Sequence, residues 1–124
     1  MSNAPAPENR KKVLIVEDSQ AMRHLISSIV GDLAEIFECE DGSEALGLYE
    51  QHRPDWVLMD VRMNDVGGIE ATRLIKSRYA DAQVLMVTNY DDKRLRKSAS
   101  NAGACGYVLK EDLFALRRIL TAAS

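Results

Sequence analysis

The sequence predicts an α/β fold in which helices cover both faces of a five-stranded parallel sheet. Three observations predict it. Short, wholly apolar runs recur along the chain. Segments with apolar residues every three or four positions fall between them, and Gly, Asp, Asn or Pro mark many of the joins. Strands that are apolar throughout, rather than alternating, are covered on both faces, which points to a parallel sheet. Right-handed crossovers place helices on both sides, and a doubly wound sheet of order 2-1-3-4-5 is the economical arrangement.

The chain has 124 residues, the size of one domain. Residues 1–11 contain two prolines, small residues and charges but no apolar period, so a disordered arm is expected there, with the folded domain over 12–124. The elements then follow in order. Residues 13–16 (VLIV) predict the first strand. Met22, Leu25, Ile26, Ile29 and Leu33 form a helical stripe. Residues 36–39 predict a weaker second strand. Asp41 is the expected cap of a second helix, with Glu44 three residues on and Ala45, Leu46 and Tyr49 as its apolar face. Residues 56–59 (WVLM) predict the third strand. Asn64 to Gly68 is turn-rich, and Ile69, Leu74 and Ile75 suggest a third helix ending near Tyr79. Residues 84–87 (VLMV) predict the fourth strand. Asp91 and Asp92 can cap a fourth helix whose stripe (Leu95, Ala99, Ala102) is thin, so light burial is expected. Residues 107–109 predict the fifth strand, and Leu113, Leu116, Ile119 and Leu120 mark the last helix.

Charge and composition exclude several classes. Sixteen basic against nineteen acidic side chains give a net charge of −3, which argues against nucleic-acid binding by bulk charge. No apolar stretch approaches the roughly 20 residues of a membrane span, and no signal-peptide core is present. Two cysteines are too few for a disulfide scaffold, so a cytoplasmic protein is expected. The charge is uneven: residues 1–90 carry a net −6 and residues 91–124 a net +3.

Four apolar runs end in residues able to do chemistry: Glu17-Asp18, Asp60, Thr88 and Lys110. In a parallel sheet these collect at one edge, the carboxyl ends of the strands, where open α/β sheets bind ligands. Three clustered carboxylates repel one another, and a divalent cation relieves the conflict. Oxygen donors without His or Cys suit Mg²⁺ or Mn²⁺. A lysine and a hydroxyl suit phosphoryl oxygens, so the set fits phosphoryl transfer, with Asp60 as the best placed nucleophile.

The segments VLIVED, VLMDVRM, VLMVTNYDD and AGACGYVLK resemble the receiver domains of bacterial two-component response regulators, over about residues 12–122. That fold is flavodoxin-like. The resemblance implies that Asp60 accepts a phosphoryl group from a histidine-kinase phosphohistidine. It implies Mg²⁺ bound by Asp18, by Glu17 largely through water, by Asp60 and by the Arg62 backbone carbonyl. Thr88 and Lys110 would contact the phosphoryl oxygens. Thr88 and Tyr107 would form a switch pair that alters the face of helix 4, strand 5 and helix 5, the stretch with net +3. Self-phosphorylation and slow dephosphorylation are implied, rather than metabolic turnover. The implied partners are a sensor histidine kinase or phosphotransfer protein, a downstream output protein or domain, and a second copy on phosphorylation. No membrane and no direct nucleic-acid contact by this domain are implied. The match is nearest to receivers that precede a helix-turn-helix output domain. The chain departs from the usual pattern at Asn64 and Glu111, where Pro is common, and at Asn89, where a small residue is common. Arg62 and Tyr90 stand at variable positions beside the site. An unphosphorylated interaction module and a Mg²⁺-dependent phosphohydrolase are the alternatives. Arg62 counts against the latter, because it stands where a second acid would be needed.

The remaining candidates have plainer readings. Cys39 and Cys105 are expected as buried, inert thiols. His24 and His52 lack metal-ligand spacing. Lys93, Arg94, Arg96 and Lys97 read as a solvated face, and Gly67-Gly68 as the turn before the third helix.

Overall fold

A computed structural model describes residues 10–62 and 67–122. The sheet has five parallel strands in the order β2-β1-β3-β4-β5, as expected. The strands are β1 (Lys11–Val16), β2 (Ala34–Cys39), β3 (Trp56–Met59), β4 (Val84–Thr88) and β5 (Gly106–Leu109). The helices are α1 (Gln20–Val30), α2 (Gly42–His52), α3 (Gly68–Arg78), α4 (Lys93–Ala102) and α5 (Ala115–Ala122). A short 3₁₀ turn over Lys110–Asp112 links β5 toward α5.

Successive strand residues face opposite sides of a sheet, so each strand serves two cores. Val13, Ile15, Trp56, Leu58, Leu85 and Val87 pack with Ile26, Ile29 and Val30 of α1 and Leu116 and Leu120 of α5. Leu14, Val16, Val57, Met59, Val84 and Met86 pack with Ala45 and Tyr49 of α2, Ala71 and Ile75 of α3, and Ala99 of α4. Each such aliphatic side chain contributes about 1.5–3 kcal/mol on full burial. As expected, α4 is the lightly buried helix: only Ala99 and Ala102 are buried, with Leu95 half-buried.

Several expectations need correction. β1 begins at Lys11, inside the segment expected as a disordered arm. Lys11 pairs with Ala34, and Lys12 exchanges backbone contacts with Asp55, donating to its carboxylate and accepting from its N–H, both at 2.8 Å. Residues 1–9 and Asn64 lie outside the described residues. In α1, Leu25 is exposed and Val30 is buried, because Leu25 stands about 100° around the helix from Ile26. Leu74 is exposed for the same reason beside Ile75, and Thr72 takes the inward place, its hydroxyl donating to the Gly68 carbonyl at 2.7 Å. Leu33 follows α1, and Leu113 precedes α5 yet is buried. Cys39 is buried and its thiol is pushed up to about 11 by desolvation, but Cys105 is exposed. Among the described residues every peptide bond is trans, Lys110–Glu111 included, and no helix is long and apolar enough to cross a membrane.

Candidate functional site

One rung of the sheet sets the site. Cys39, Val16, Met59, Met86 and Tyr107 are aligned across the five strands. The next residues along β1 and β3 are Glu17 and Asp60. Their backbones stay in register past the strand ends: Glu17 N–H donates to the Cys39 carbonyl at 3.1 Å, and Asp60 N–H donates to the Val16 carbonyl at 3.0 Å. The carboxylates therefore start from neighbouring, rigid points.

The turn after β1 is held by its own side chains. Glu17 Oε2 accepts from Ser19 N–H at 2.9 Å, and the Ser19 hydroxyl caps α1 by accepting from Met22 N–H at 3.2 Å. The turn after β3 depends on glycine. A Cβ on Gly68 would stand 1.8 Å from the Asp60 carbonyl oxygen, so α3 begins against the backbone of Asp60 as only glycine allows. Gly68 N–H donates to the Val61 carbonyl at 2.9 Å, fixing this approach.

Glu17 (2% exposed), Asp18 and Asp60 (6% exposed) each offer a carboxylate oxygen, all within 4.8 Å of one another. Lys110 Nζ lies between two of them. It is 3.3 Å from Asp60 Oδ2 and 2.5 Å from Glu17 Oε1, the latter an ion pair without hydrogen-bond alignment. Burial by itself would lower the Lys110 ammonium. The Glu17 contact and the Asp60 and Glu17 charges outweigh it and hold the group above its ordinary value. Asp18 is raised by its contact with Glu17, then by burial and by the Glu17 charge. One ammonium against three carboxylates leaves two negative charges. A divalent cation offsets that number, and the all-oxygen donor set fits a hard cation.

These groups open on a cavity of about 400 Å³, also lined by Ser19, Arg62, Asn89 and Tyr90. The Arg62 guanidinium stacks 4.6 Å from the centre of the Tyr90 ring, a cation–π contact at the mouth. Thr88 is fully buried and does not line the cavity. Its hydroxyl accepts from Tyr90 N–H at 3.3 Å. Tyr107 donates its hydroxyl to the Tyr90 carbonyl at 2.5 Å, and the Arg96 guanidinium lies 4.5 Å over its ring. Burial, then the Asp92, Asp91 and Asp60 charges, hold the Tyr107 phenol above its ordinary value against the Arg96 charge. The expected residues thus form two connected groups: Glu17, Asp18, Asp60 and Lys110 in the cavity, and Thr88 and Tyr107 meeting on the backbone of Tyr90. Arg62 lines the same cavity, its guanidinium stacked on Tyr90.

Two contributors were not legible in advance. Ser19 belongs to no predicted pattern, yet its N–H holds Glu17 Oε2. Arg23 reads as one more polar residue on α1, yet its Nη1 donates to the Glu17 carbonyl at 2.7 Å. Spacing offers no signal for that contact, because it depends on where β1 and α1 meet.

Comparison with known proteins agrees with this geometry. The family model described as the response regulator receiver domain matches residues 13–123. The transcriptional regulatory protein DegU of Brevibacillus brevis is 36% identical over 112 residues, covering 88% of this chain and 48% of that protein. The chemotaxis protein CheY of Halobacterium salinarum is 43% identical over 101 residues, covering 81% of this chain and 84% of that protein. The chain thus spans about half the length of DegU and most of CheY. A LuxR-family two-component response regulator from Aurantimonas sp. superposes with a TM-score of 0.85 at 30% identity, covering 93% of this chain and 85% of that one. The CheX–CheY–BeF₃–Mg²⁺ complex from Borrelia burgdorferi gives a TM-score of 0.83 at 27% identity, covering 92% and 90%. On its sequence, its strand order and its acidic strand-end cavity, the chain belongs to the receiver-domain family of two-component response regulators.

Proposed function

We propose that the chain is a phosphorylatable signalling switch that accepts a phosphoryl group on Asp60 from a histidine-kinase phosphohistidine. The observation that carries this reading is the carboxylate trio Glu17, Asp18 and Asp60 in one open cavity, with Lys110 between two of its members. Mg²⁺ (or Mn²⁺) held by these three and by the Arg62 backbone carbonyl would supply charge neutralisation on the phosphoryl oxygens. The chain's own groups do the rest. Asp60 is anchored through its N–H, and its Oδ2 accepts from Lys110 Nζ at 3.3 Å, so backbone and carboxylate are both held before reaction. An Asp60 oxygen attacks phosphorus while the P–N bond breaks. The bonding pair leaves with the imidazole nitrogen, and phosphate charge gathers on oxygens that Lys110 and Thr88 contact. The Thr88 hydroxyl, whose oxygen accepts from Tyr90 N–H, has its own O–H to donate to them, and Tyr90 also carries the Tyr107 hydroxyl. That shared backbone supports reading Thr88 and Tyr107 as the switch pair and the α4–β5–α5 face as the output surface.

The partners on this reading are a sensor kinase or phosphotransfer protein and a downstream output protein or domain, all in the cytoplasm, with a second copy of the chain recruited on phosphorylation. The Mg²⁺ and BeF₃ in the Borrelia CheY complex support the same chemistry here by similarity. The test is incubation with Mg²⁺ and acetyl phosphate or phosphoramidate, followed by intact mass. The expected result is a gain of one phosphoryl group, abolished by EDTA and by Asp60→Asn. No gain with either donor would favour an unphosphorylated interaction module, and sustained turnover of generic phosphate esters a phosphohydrolase.

A further inference from the structure

Arg23 stands outside the acidic cavity, on the far side of the turn that carries Glu17 and Asp18. Its side chain is only 11% exposed. Three of its contacts meet two other parts of the fold. Nη1 donates to the Glu17 carbonyl at 2.7 Å, Nε lies 3.2 Å from Glu38 Oε1 on β2, and Nη2 lies 4.0 Å from Glu40 Oε1 just beyond β2. A guanidinium this buried is costly unless its donors are matched, and its planar fork holds acceptors in a set direction.

Its place in the turn decides what it holds. Glu17 N–H is fixed to the Cys39 carbonyl, and Glu17 Oε2 is fixed by Ser19 N–H. The Glu17 carbonyl is the third point. It belongs to the peptide unit that joins Glu17 to Asp18, so its direction sets the plane from which Asp18 departs. Glu38 and Glu40 in turn brace the guanidinium from β2.

We propose that Arg23 is a positioning residue for the cation-binding carboxylates: by holding the Glu17 carbonyl it orients the Glu17–Asp18 peptide so that both side chains reach one cation. This rests on the reading of the cavity as a Mg²⁺ site. The proposal opposes a simple charge argument. A positive charge near the site repels Mg²⁺, so charge alone predicts tighter binding when Arg23 is neutralised, whereas positioning predicts weaker binding.

Mg²⁺ titration calorimetry on wild type, Arg23→Gln and Arg23→Lys separates the two, with circular dichroism confirming that each is folded. Arg23→Gln is expected to weaken Mg²⁺ by roughly tenfold or more, the usual effect of removing a group that orients a ligand. Arg23→Lys, which keeps the charge and N–H donors on one nitrogen, is expected to recover most of the loss. In metal-free protein, amide exchange at Asp18 and Ser19 is expected to quicken in Arg23→Gln. Binding by Arg23→Gln that is unchanged or tighter overturns the proposal. If Arg23→Gln does not fold, Glu38→Gln removes the brace without touching a site carboxylate. It is expected to weaken Mg²⁺ severalfold, and an unchanged affinity there overturns the proposal equally. Wild type that binds no Mg²⁺ overturns both the proposal and the reading beneath it. Wild-type binding that the variants leave intact overturns the proposal alone.

Discussion

Replacing Lys110 by Met removes the only cation paired with Glu17 and Asp60 among the described residues, while keeping most of the side-chain volume. With an effective dielectric of about 20, attraction at 2.5 Å is roughly 7 kcal/mol and at 3.3 Å roughly 5 kcal/mol. Much of this is offset by the cost of desolvating the ammonium, since Lys110, Glu17 and Asp60 are all nearly buried. Removing one partner of a buried pair, however, leaves the other charges uncompensated, at about 3–5 kcal/mol. Lys110→Met in EDTA at neutral pH is therefore expected to lose about that much stability. Urea unfolding can report it through Trp56, the single tryptophan, which is buried at the far end of β3 from the site. Saturating Mg²⁺ should return much of the loss, because a cation bound only to the folded state stabilises it by mass action. The reasoning is refuted if Lys110→Met in EDTA is as stable as wild type, or if Mg²⁺ stabilises it less than it stabilises wild type.

Two further outcomes follow from the same geometry. Gly68→Ala puts a methyl 1.8 Å from the Asp60 carbonyl oxygen and 2.9 Å from Met59 Cγ, so α3 must move. A loss of about 3 kcal/mol or more is expected in denaturant unfolding, with phosphorylation from acetyl phosphate sharply reduced. Asp18→Asn removes a carboxylate whose folded value is raised by Glu17, so it should make the metal-free protein more stable while abolishing high-affinity Mg²⁺ binding. The sign is checked by pH. A raised carboxylate binds more protons folded than unfolded, so its contribution in EDTA grows as pH falls through the raised value toward 3.8. That segment of the stability–pH curve should flatten in Asp18→Asn.

The strand order and the gathering of Glu17, Asp18, Asp60 and Lys110 were legible because both follow from apolar runs and what stands after them. A parallel sheet turns the order of residues along the chain into proximity at one edge. What could not be read depends on rotation and contact. Leu25 and Leu74 fit their helical stripes by spacing but fall on the flank, where the sheet does not reach. Cys105 follows Gly103 in an apolar context, yet lies in the exposed connection before β5. Thr88 ends β4 like the other site residues, but its side chain is fully buried with its oxygen accepting from Tyr90 N–H, a choice made by the local turn. Arg23 has no pattern at all, since its partners come from the turn after β1, from β2 and from the turn after β2.

The slight burial of α4 has a mechanical meaning. A helix seated by Leu or Ile must lift each knob from its slot before it can travel. Here the seated groups are the methyls of Ala99 and Ala102, each worth about 0.8 kcal/mol, with Leu95 resting at the margin. Small seated groups interlock less than Leu or Ile knobs, so a small translation of this helix disturbs less packing than the same shift of α1 or α3. Among the described helices α4 is thus the one seated by the smallest side chains, next to the strand that carries Tyr107.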